Sequence, residues 1–250
     1  MIKGIYAHRG FHNKPEIPEN SIAAFERAIN RGWGAELDVH LIKDGSLVVF
    51  HDSQLERCTG IKGIIEELTL EQVKKLRLEG TDEKVPTFDE VLDMFENVQP
   101  LIIELKTYGG NHLALTEAVC KRLDSYKGEF VIESFDPRAL IDLKKLRPEI
   151  YRGQLAQDFT KRPENLPWYQ RVLLTNLGLN FLTKPNFIAY RFEDRDVKAN
   201  KRAIKHGIQE VCWTISNKKD FDTVIKNGAI PIFERFDPEV DPEINPGASE

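Results

Sequence analysis

Three acidic residues stand inside apolar stretches of this sequence, where a charged side chain is costly to bury. Glu36 and Asp38 are two residues apart in the stretch 34–39, so a β-strand there would point both carboxylates to one face. Glu104 is embedded in the same way in the stretch 101–106. Neighbouring carboxylates repel each other unless they share a cation, and oxygen ligands suit a hard ion better than zinc. The pattern therefore predicts a site for one divalent cation, Mg²⁺ or Ca²⁺, bound by these three acids.

A purely structural role for the same acids is the alternative. Glu104 would then pair with Lys106, two residues further along on the same face, while Glu36 and Asp38 pair with arginines. For one acid alone, this arrangement explains the sequence as well as a metal site does. For three acids at strand ends together, the sequence favours the shared cation.

Two histidines follow apolar stretches that are typical of β-strands. His8 ends the first stretch and precedes Arg9, and His51 ends the third and precedes Asp52. At the carboxyl ends of barrel strands, a pair of histidines can act as general acid and general base. Either histidine alone would more often be structural, but together with the carboxylates they predict one convergent site. Arg9 and Lys106 add cations suited to phosphate oxygens, or else serve as ion-pair partners.

Short apolar stretches that alternate with segments of helical period must position these side chains. A helix is predicted at 20–31, capped by Asn20 or Ser21, with further helix starts at 87–90 and 136–137. Strands are predicted at residues 2–7, 35–39, 47–50, 101–105, 130–133, 151–155, 187–190, 211–215 and 230–233. No G-x-G-x-x-G turn follows the first strand, so the repeated units favour one (β/α)8 TIM barrel over an open doubly wound sheet.

The segment between Asp38 and Val48 departs from this pattern, because it is too short for a helical crossover. Residues 43–46, Lys-Asp-Gly-Ser, are typical of a hairpin turn. We therefore expect a barrel that is irregular around its second and third strands, through a projecting hairpin or an antiparallel strand. The barrel is predicted to span residues 1–236. Residues 237–250, with three prolines and five acidic residues, are predicted to form an acidic tail outside the core.

Composition excludes several classes of protein. The chain has 250 residues, of which 41% are hydrophobic, and a formal net charge of −5. Nucleic acid and anionic membranes are bound chiefly by basic faces, so we expect neither as a partner. No membrane-spanning stretch or signal peptide is evident, and Cys58, Cys120 and Cys212 form no C-x-x-C pair. We expect a cytoplasmic protein without stable membrane association, and the sequence leaves its oligomeric state open.

The motifs together resemble those of the glycerophosphodiester phosphodiesterases, within the phospholipase C-like phosphodiesterase superfamily. The resemblance is carried, in chain order, by residues 8–10, 18–21, 24–25, 28, 36–39, 44–45, 48–52, 55, 57, 59–60, 63, 86–87, 104–106, 134–136 and 213–214. It is dense in the first part of the chain and sparse after residue 140. An ordered set of this length is highly specific.

The resemblance implies a (β/α)8 enzyme that hydrolyses glycerophosphodiesters, a class of small molecules, to sn-glycerol 3-phosphate and an alcohol. It implies metal binding by Glu36, Asp38 and Glu104, proton exchange by His8 and His51, and phosphate contacts from Arg9 and Lys106. Trp213 would form an apolar wall for the glycerol backbone or would be a buried core residue. Two alternatives remain open. One is a lysophospholipase D-type phosphodiesterase, which needs an apolar groove, and the other is a catalytically silent phosphate-binding barrel.

Some segments depart from the family pattern. Ile42 stands where the family often has threonine. The family's closing strand usually ends in a segment that contains Thr-Asp, and this chain has residues 228–235 there instead. Residues 187–195 have no clear counterpart in the family. The histidines predicted to be surface or helix residues are His12, His40, His112 and His206, of which His40 shares the face of Asp38. Glu19 is expected to shape the first loop, and Cys58 to be inert.

Overall fold

A computed structural model of the chain describes residues 2–162 and 166–239. Within these residues the strands are, in chain order, β1 (Tyr6–Ala7), β2 (Gly34–Leu41), β3 (Leu47–Val49), β4 (Leu101–Leu105), β5 (Phe130–Ser134), β6 (Arg152–Ala156), β7 (Phe187–Arg191), β8 (Gln209–Ile215) and β9 (Ile230–Phe233). All except β3 pair in parallel, and β1 closes the sheet by pairing with both β2 and β9. The predicted (β/α)8 barrel is confirmed.

Helices connect the parallel strands. In chain order they are α1 (Ile22–Asn30), α2 (Glu56–Thr59), α3 (Leu70–Val73), α4 (Phe88–Phe95), α5 (His112–Leu123), α6 (Pro137–Leu146), α7 (Trp168–Thr175), α8 (Asn180–Thr183), α9 (Lys198–Lys205) and α10 (Lys218–Lys226), with 3₁₀ turns at Ile65–Glu67 and Phe192–Asp194. The predicted starts are confirmed: Ser21 caps α1, Thr87 and Glu90 form a capping box on α4, and Asp136 caps α6 ahead of Pro137. In each case a side-chain oxygen accepts from an amide of the first turn that has no partner within the helix.

The irregularity predicted around the second and third strands is present. Strand β3 runs antiparallel to the end of β2, with Val39 opposite Val49 and Leu41 opposite Leu47. A tight turn at Asp44 and Gly45 joins the two strands. The amide of Phe50, just after β3, donates to the Asp38 carbonyl at 3.0 Å, so this hairpin brings His51 back beside Asp38.

The first strand is shorter than predicted. The sequence suggested residues 2–7, but the structure forms a strand only at Tyr6–Ala7. Gly4, at a φ of +88°, interrupts the extended backbone, and the amide of Ile2 bonds to the side chain of Gln209 instead.

Alternation along the strands sorts the side chains into two layers. Odd-numbered positions of β2 and β4, such as Leu37 and Ile103, pack outward against the helices in the main apolar core. Even-numbered positions point into the barrel, where Ile102 joins a second apolar cluster contributed by several strands. Two residues further along the same strand stands Glu104, so the interior changes from apolar to acidic towards the carboxyl ends of the strands.

The end of the described chain lies against the barrel. Glu239 accepts a hydrogen bond from the Trp33 indole at 3.1 Å, and Asp237 forms an ion pair with Arg31. The rest of the predicted acidic tail, residues 240–250, lies outside the described residues. Within the part of the chain that is described, no helix has both the length and the apolar character needed to cross a membrane.

Candidate active site

Two neighbouring strands bring the three predicted carboxylates together. Asp38 of β2 lies directly opposite Glu104 of β4, and Glu36 precedes Asp38 on the same face. One oxygen of each acid lies within 4.8 Å of the others, and all three residues are buried. Next along the sheet, Glu133 of β5 pairs in register with Glu104, so a fourth buried carboxyl borders the cluster. Glu133 is not among the predicted site residues, although it too is an acid within an apolar strand.

The structural alternative for these acids is also present in part. The Lys106 ammonium lies 3.0 Å from Glu104 Oε1 and 3.5 Å from Asp38 Oδ1, and Arg9 Nε lies 3.5 Å from Asp38 Oδ2. The backbone amide of Arg9 donates to Glu36 at 3.1 Å. These pairs do not balance the site, because four carboxyls face only two cations among these residues. One divalent cation would supply the two missing positive charges.

Burial and mutual repulsion make this cluster reluctant to carry its full negative charge. Desolvation raises the pKa of Glu36 and of Glu133 well above the usual range, and neighbouring carboxylates add to the effect. Desolvation, followed by Coulomb interactions with Lys106 and Asp38, leaves the pKa of Glu104 at about 7. Asp38 behaves in the opposite way: burial opposes its ionisation, but His51, Lys106 and Arg9 nearby hold its pKa below the usual range.

The donor set of the cluster suits a hard divalent cation. The oxygen Asp38 Oδ1 is buried and has no hydrogen-bond partner among the described residues. The other oxygen, Oδ2, accepts from the Asn20 amide at 2.9 Å, which holds the carboxylate in one orientation. Carboxylate ligands are commonly oriented by such hydrogen bonds. An all-oxygen site with an unsatisfied buried acceptor is what Mg²⁺ or Ca²⁺ requires.

His8 reaches the same cluster from the end of β1. Its Nδ1 is 2.8 Å from Glu234 Oε2, and its Nε2 is 3.9 Å from Glu36 Oε2. Because the carboxylate accepts a hydrogen bond, Nδ1 carries the proton of the neutral ring, and the lone pair of Nε2 faces the carboxylates. Desolvation, with the charge of Arg9, lowers the pKa of His8 to about 4, so the ring is neutral near pH 7.

His51 has the same kind of partner on the other side of the cluster. Its Nδ1 lies 2.6 Å from Asp52 Oδ1, and Asp52 in turn accepts from Arg57 at 2.5 Å. Burial lowers the pKa of His51, against the opposing effect of Asp38. His51 is therefore also neutral near pH 7, with Nε2 free to exchange a proton.

The loop after β1 is held in an unusual conformation. Arg9 and Asn20, which both contact Asp38, have φ values of +54° and +53°. A side chain at Gly10 would place its Cβ 2.8 Å from the Ala24 backbone, because the loop packs tightly against α1. Glu19 accepts from Arg9 at 2.8 Å. Glu19 therefore anchors this loop, and a loop-shaping role is what the sequence indicated for it.

A cleft of about 640 Å³ opens next to these groups. The residues that line it are His40, His51, Asp52, Ser53, Gln54, Arg57, Glu104, Leu105, Lys106, Thr107, Ser134, Phe135 and Asp136. Trp213 is half-buried and is not among them. Its ring packs edge-on against Phe135 at 5.5 Å between centroids, and its indole donates to the Ala189 carbonyl at 3.0 Å. Trp213 thus packs against Phe135, one of the residues that line the cleft.

Several polar partners of the site residues were not predicted from the sequence. The prediction that His12 and His40 are surface residues is wrong, because both are buried, and His40 Nδ1 bonds to Glu66 at 2.7 Å. Glu234, the partner of His8, directly follows the apolar strand β9, and an acid at a strand end was a usable signal. Its distance from His8 along the chain hid the connection.

Comparisons with known proteins show the family and the fold of the chain. The Glycerophosphoryl diester phosphodiesterase family model matches residues 8–234. A glycerophosphodiester phosphodiesterase from Caldanaerobacter subterraneus subsp. tengcongensis is 32% identical over 237 residues, which cover 90% of each chain. The structure of an Oleispira antarctica phosphodiesterase in complex with the product sn-glycerol-3-phosphate superposes with a TM-score of 0.77 and 25% identity, over 93% of each chain. A Thermotoga maritima glycerophosphodiester phosphodiesterase shares the fold, with a TM-score of 0.70 and 24% identity over 94% of this chain and 95% of that one.

Proposed function

The chain belongs to the glycerophosphoryl diester phosphodiesterase family, and on this premise we propose that it hydrolyses glycerophosphodiesters to sn-glycerol 3-phosphate and an alcohol with a divalent cation. It is a phosphodiesterase, an enzyme of the phosphoric diester hydrolases. The observation that carries the finer proposal is the buried cluster of Glu36, Asp38 and Glu104 beside two neutral histidines. Binding alone would not need two proton-transfer groups.

The carboxylates of Glu36, Asp38 and Glu104 would hold the cation. When bound, a divalent cation supplies positive charge that stabilises the phosphoryl oxygens in the transition state. Asn20 fixes the orientation of Asp38 through its amide. Mg²⁺ and Ca²⁺ both suit three carboxylates, and the assay below distinguishes them.

The two histidines would divide the proton transfers between them. One takes a proton from the attacking water or hydroxyl through Nε2, and the other, after it takes up a proton from solvent, gives that proton to the leaving alcohol. Glu234 and Asp52 each accept from Nδ1 and so keep Nε2 turned towards the reaction. Both carboxylates also favour the charged ring while it holds the extra proton.

Arg9 and Lys106 would contact the phosphate. Both cations are held against the carboxylate cluster, which fixes the ammonium and the guanidinium before substrate arrives. Phe135, supported by Trp213, gives the cleft an apolar wall on which the glycerol backbone or the alcohol can rest. The three cysteines, free and buried, favour a reducing compartment such as the cytoplasm.

Release of sn-glycerol 3-phosphate tests the proposal. Purified protein is incubated with glycerophosphocholine or glycerophosphoethanolamine in the presence of Mg²⁺, Ca²⁺ or EDTA. We expect release with at least one metal and none with EDTA. The Glu36→Gln variant, prepared in the same way, controls for contaminating host enzymes and should be inactive or require far more metal.

Two results would contradict the proposal at different points. Turnover that persists after complete chelation would remove the metal from the mechanism. No release with either metal, by protein shown to be folded, would favour the silent phosphate-binding barrel or a lysophospholipid substrate. Release of choline from lysophosphatidylcholine, measured under the same conditions, separates these two.

A further inference from the structure

The side chains of His12 and Glu234 lie on the side of His8 that faces away from the carboxylate cluster. We propose that His8, His12 and Glu234 form a second cation site, selective for a borderline transition ion such as Zn²⁺, whose occupancy inhibits the enzyme. Glu234 Oε2 lies 2.8 Å from His8 Nδ1 and 3.5 Å from His12 Nε2. All three ligand atoms lie within 4.8 Å of one another.

His12 supplies a second, independent observation on this cluster. The residue is only 6% exposed, and its Nε2 has no hydrogen-bond partner among the described residues. A buried ring nitrogen without a partner is costly, and such nitrogens usually bind a proton donor, an acceptor or a metal. His12 Nε2 lies 3.5 Å from Glu234 Oε2 without forming a hydrogen bond. This distance is close to the separation of two ligand atoms on one ion. Ligands about 2.0–2.1 Å from zinc in a tetrahedron lie roughly 3.3 Å apart.

The donor chemistry separates this site from the carboxylate cluster. Two imidazoles and one carboxylate are a typical zinc set, with the fourth position left for water. Three carboxylates, in contrast, favour Mg²⁺ or Ca²⁺. The side chains of His8 and Glu234 retain 13% and 15% exposure, so an ion and its water can enter. The two sites should therefore take different ions from a mixture.

Backbone hydrogen bonds hold all three ligands in place without an ion. The amide of His8 donates to the Phe233 carbonyl at 2.8 Å, which ties β1 to the strand that carries Glu234. The amide of Glu234 donates to Ile215 at 2.9 Å, and that of His12 donates to Gly10 at 2.9 Å. A preformed arrangement loses less conformational entropy when it binds an ion.

Occupancy would remove His8 from the reaction as described above. A cation on Nδ1 shifts the proton of the neutral ring to Nε2 and takes Glu234 as a further ligand, so Nε2 has no lone pair with which to accept another proton. We therefore expect Zn²⁺ to inhibit turnover even when Mg²⁺ or Ca²⁺ is saturating. The inhibition rests on the proposed function, but the binding itself does not.

The experiment measures binding and inhibition separately. ZnCl₂ is titrated calorimetrically into the full chain with excess Mg²⁺, and CoCl₂ is used in parallel for its visible absorption. The His12→Ala and His12→Gln variants remove one ligand. The control is His112→Ala. His112 Nδ1 lies 2.6 Å from Asp142 Oδ2, and His112 is not among the residues that line the cleft. Circular dichroism confirms the fold of each variant.

We expect one Zn²⁺ per chain, a cobalt band typical of four ligands including nitrogen, and affinity at least about tenfold weaker in either His12 variant. The zinc concentration for half inhibition, with each variant normalised to its own zinc-free rate, should rise by a similar factor. The control should match the unmodified protein in both measurements. Absence of a zinc site under excess Mg²⁺, or equal affinity in the His12 variants, would overturn the proposal. A lack of phosphodiesterase activity would contradict the proposed function and leave the binding result to decide this one.

Discussion

Replacing Glu104 with glutamine should stabilise the metal-free protein, and more so at high pH. Glu104 faces Lys106, Asp38, Glu36 and Glu133 inside the barrel, so its negative charge has one favourable neighbour and three acidic ones. Glutamine keeps the shape of the side chain and resembles the protonated acid. The substitution therefore removes a cost that the unmodified protein bears only when Glu104 is ionised.

The size of the effect follows from the pKa. In the fold, the pKa of Glu104 is about 7, against a usual value of 4.5. The folded state thus retains a proton that the unfolded state releases between these two pH values, and metal-free stability falls as pH rises through that window. A difference of one pKa unit corresponds to about 1.4 kcal/mol, so the free energy of unfolding of the metal-free protein falls by about 3 kcal/mol between pH 4.5 and pH 8. Glu104→Gln avoids this loss. Its advantage in melting temperature over the unmodified protein should therefore be roughly 6–12 °C larger at pH 8 than at pH 4.5.

Urea unfolding in EDTA at pH 4.5 and pH 8 measures the difference. The difference in free energy of unfolding between Glu104→Gln and the unmodified protein should favour the variant more at pH 8 than at pH 4.5. Glu71→Gln, on an exposed helix, should change the free energy of unfolding little at either pH. Excess Mg²⁺ or Ca²⁺ should stabilise the unmodified protein more than Glu104→Gln. Equal destabilisation of Glu104→Gln at both pH values would refute the reasoning, since Glu104 would then act mainly as the partner of Lys106.

Three further substitutions test other parts of the site. His51→Ala should lower turnover by on the order of 10²–10⁴ without unfolding the protein, as steady-state kinetics at saturating metal would show; nearly full turnover would exclude the proton-transfer role. Asn20→Ala frees the Asp38 carboxylate, so the metal dependence of activity should shift to about 10- to 100-fold higher concentration, measured by metal titration against a chelator buffer. Gly10→Ala forces a side chain onto the Ala24 backbone at a φ of +77° and should lower the melting temperature sharply, while an unchanged melting curve would show that the loop can move aside.

Much of the fold could be predicted from local patterns. The apolar stretches 101–105 and 230–233 coincide with β4 and β9 to the residue, because a buried strand must present apolar side chains on nearly every position. The short connection after Asp38 predicted either a projecting hairpin or an antiparallel strand, since a parallel one needs a longer crossover, and the structure forms the antiparallel strand β3. The glycine at position 4, in contrast, shortened β1 through its own backbone conformation, which the apolar pattern does not encode.

The candidate site was predictable only where its residues share a strand. The spacing of Glu36 and Asp38 fixes a common face by itself, whereas the meeting of Glu104 with Asp38 depends on the register between two strands. The bond between His8 and Glu234 forms only when β9 closes the barrel against β1. Such contacts depend on barrel closure, and no local period in the sequence reports it.

One end of the barrel interior is apolar and stabilises the fold, and the other end carries the acidic residues of the site. Below the site, Ile102 and its neighbours fill the interior with apolar side chains, which stabilise the fold by their burial. Two residues further along the same strand, ionised Glu104 should cost the metal-free fold about 3 kcal/mol at pH 8, a large share of the roughly 5–15 kcal/mol that keeps a typical domain folded. A fold can retain such a cluster only if the rest of the core offsets it or a cation neutralises it. Metal binding should therefore raise stability and activity together, and substitutions that stabilise the metal-free barrel at these positions should remove its chemistry.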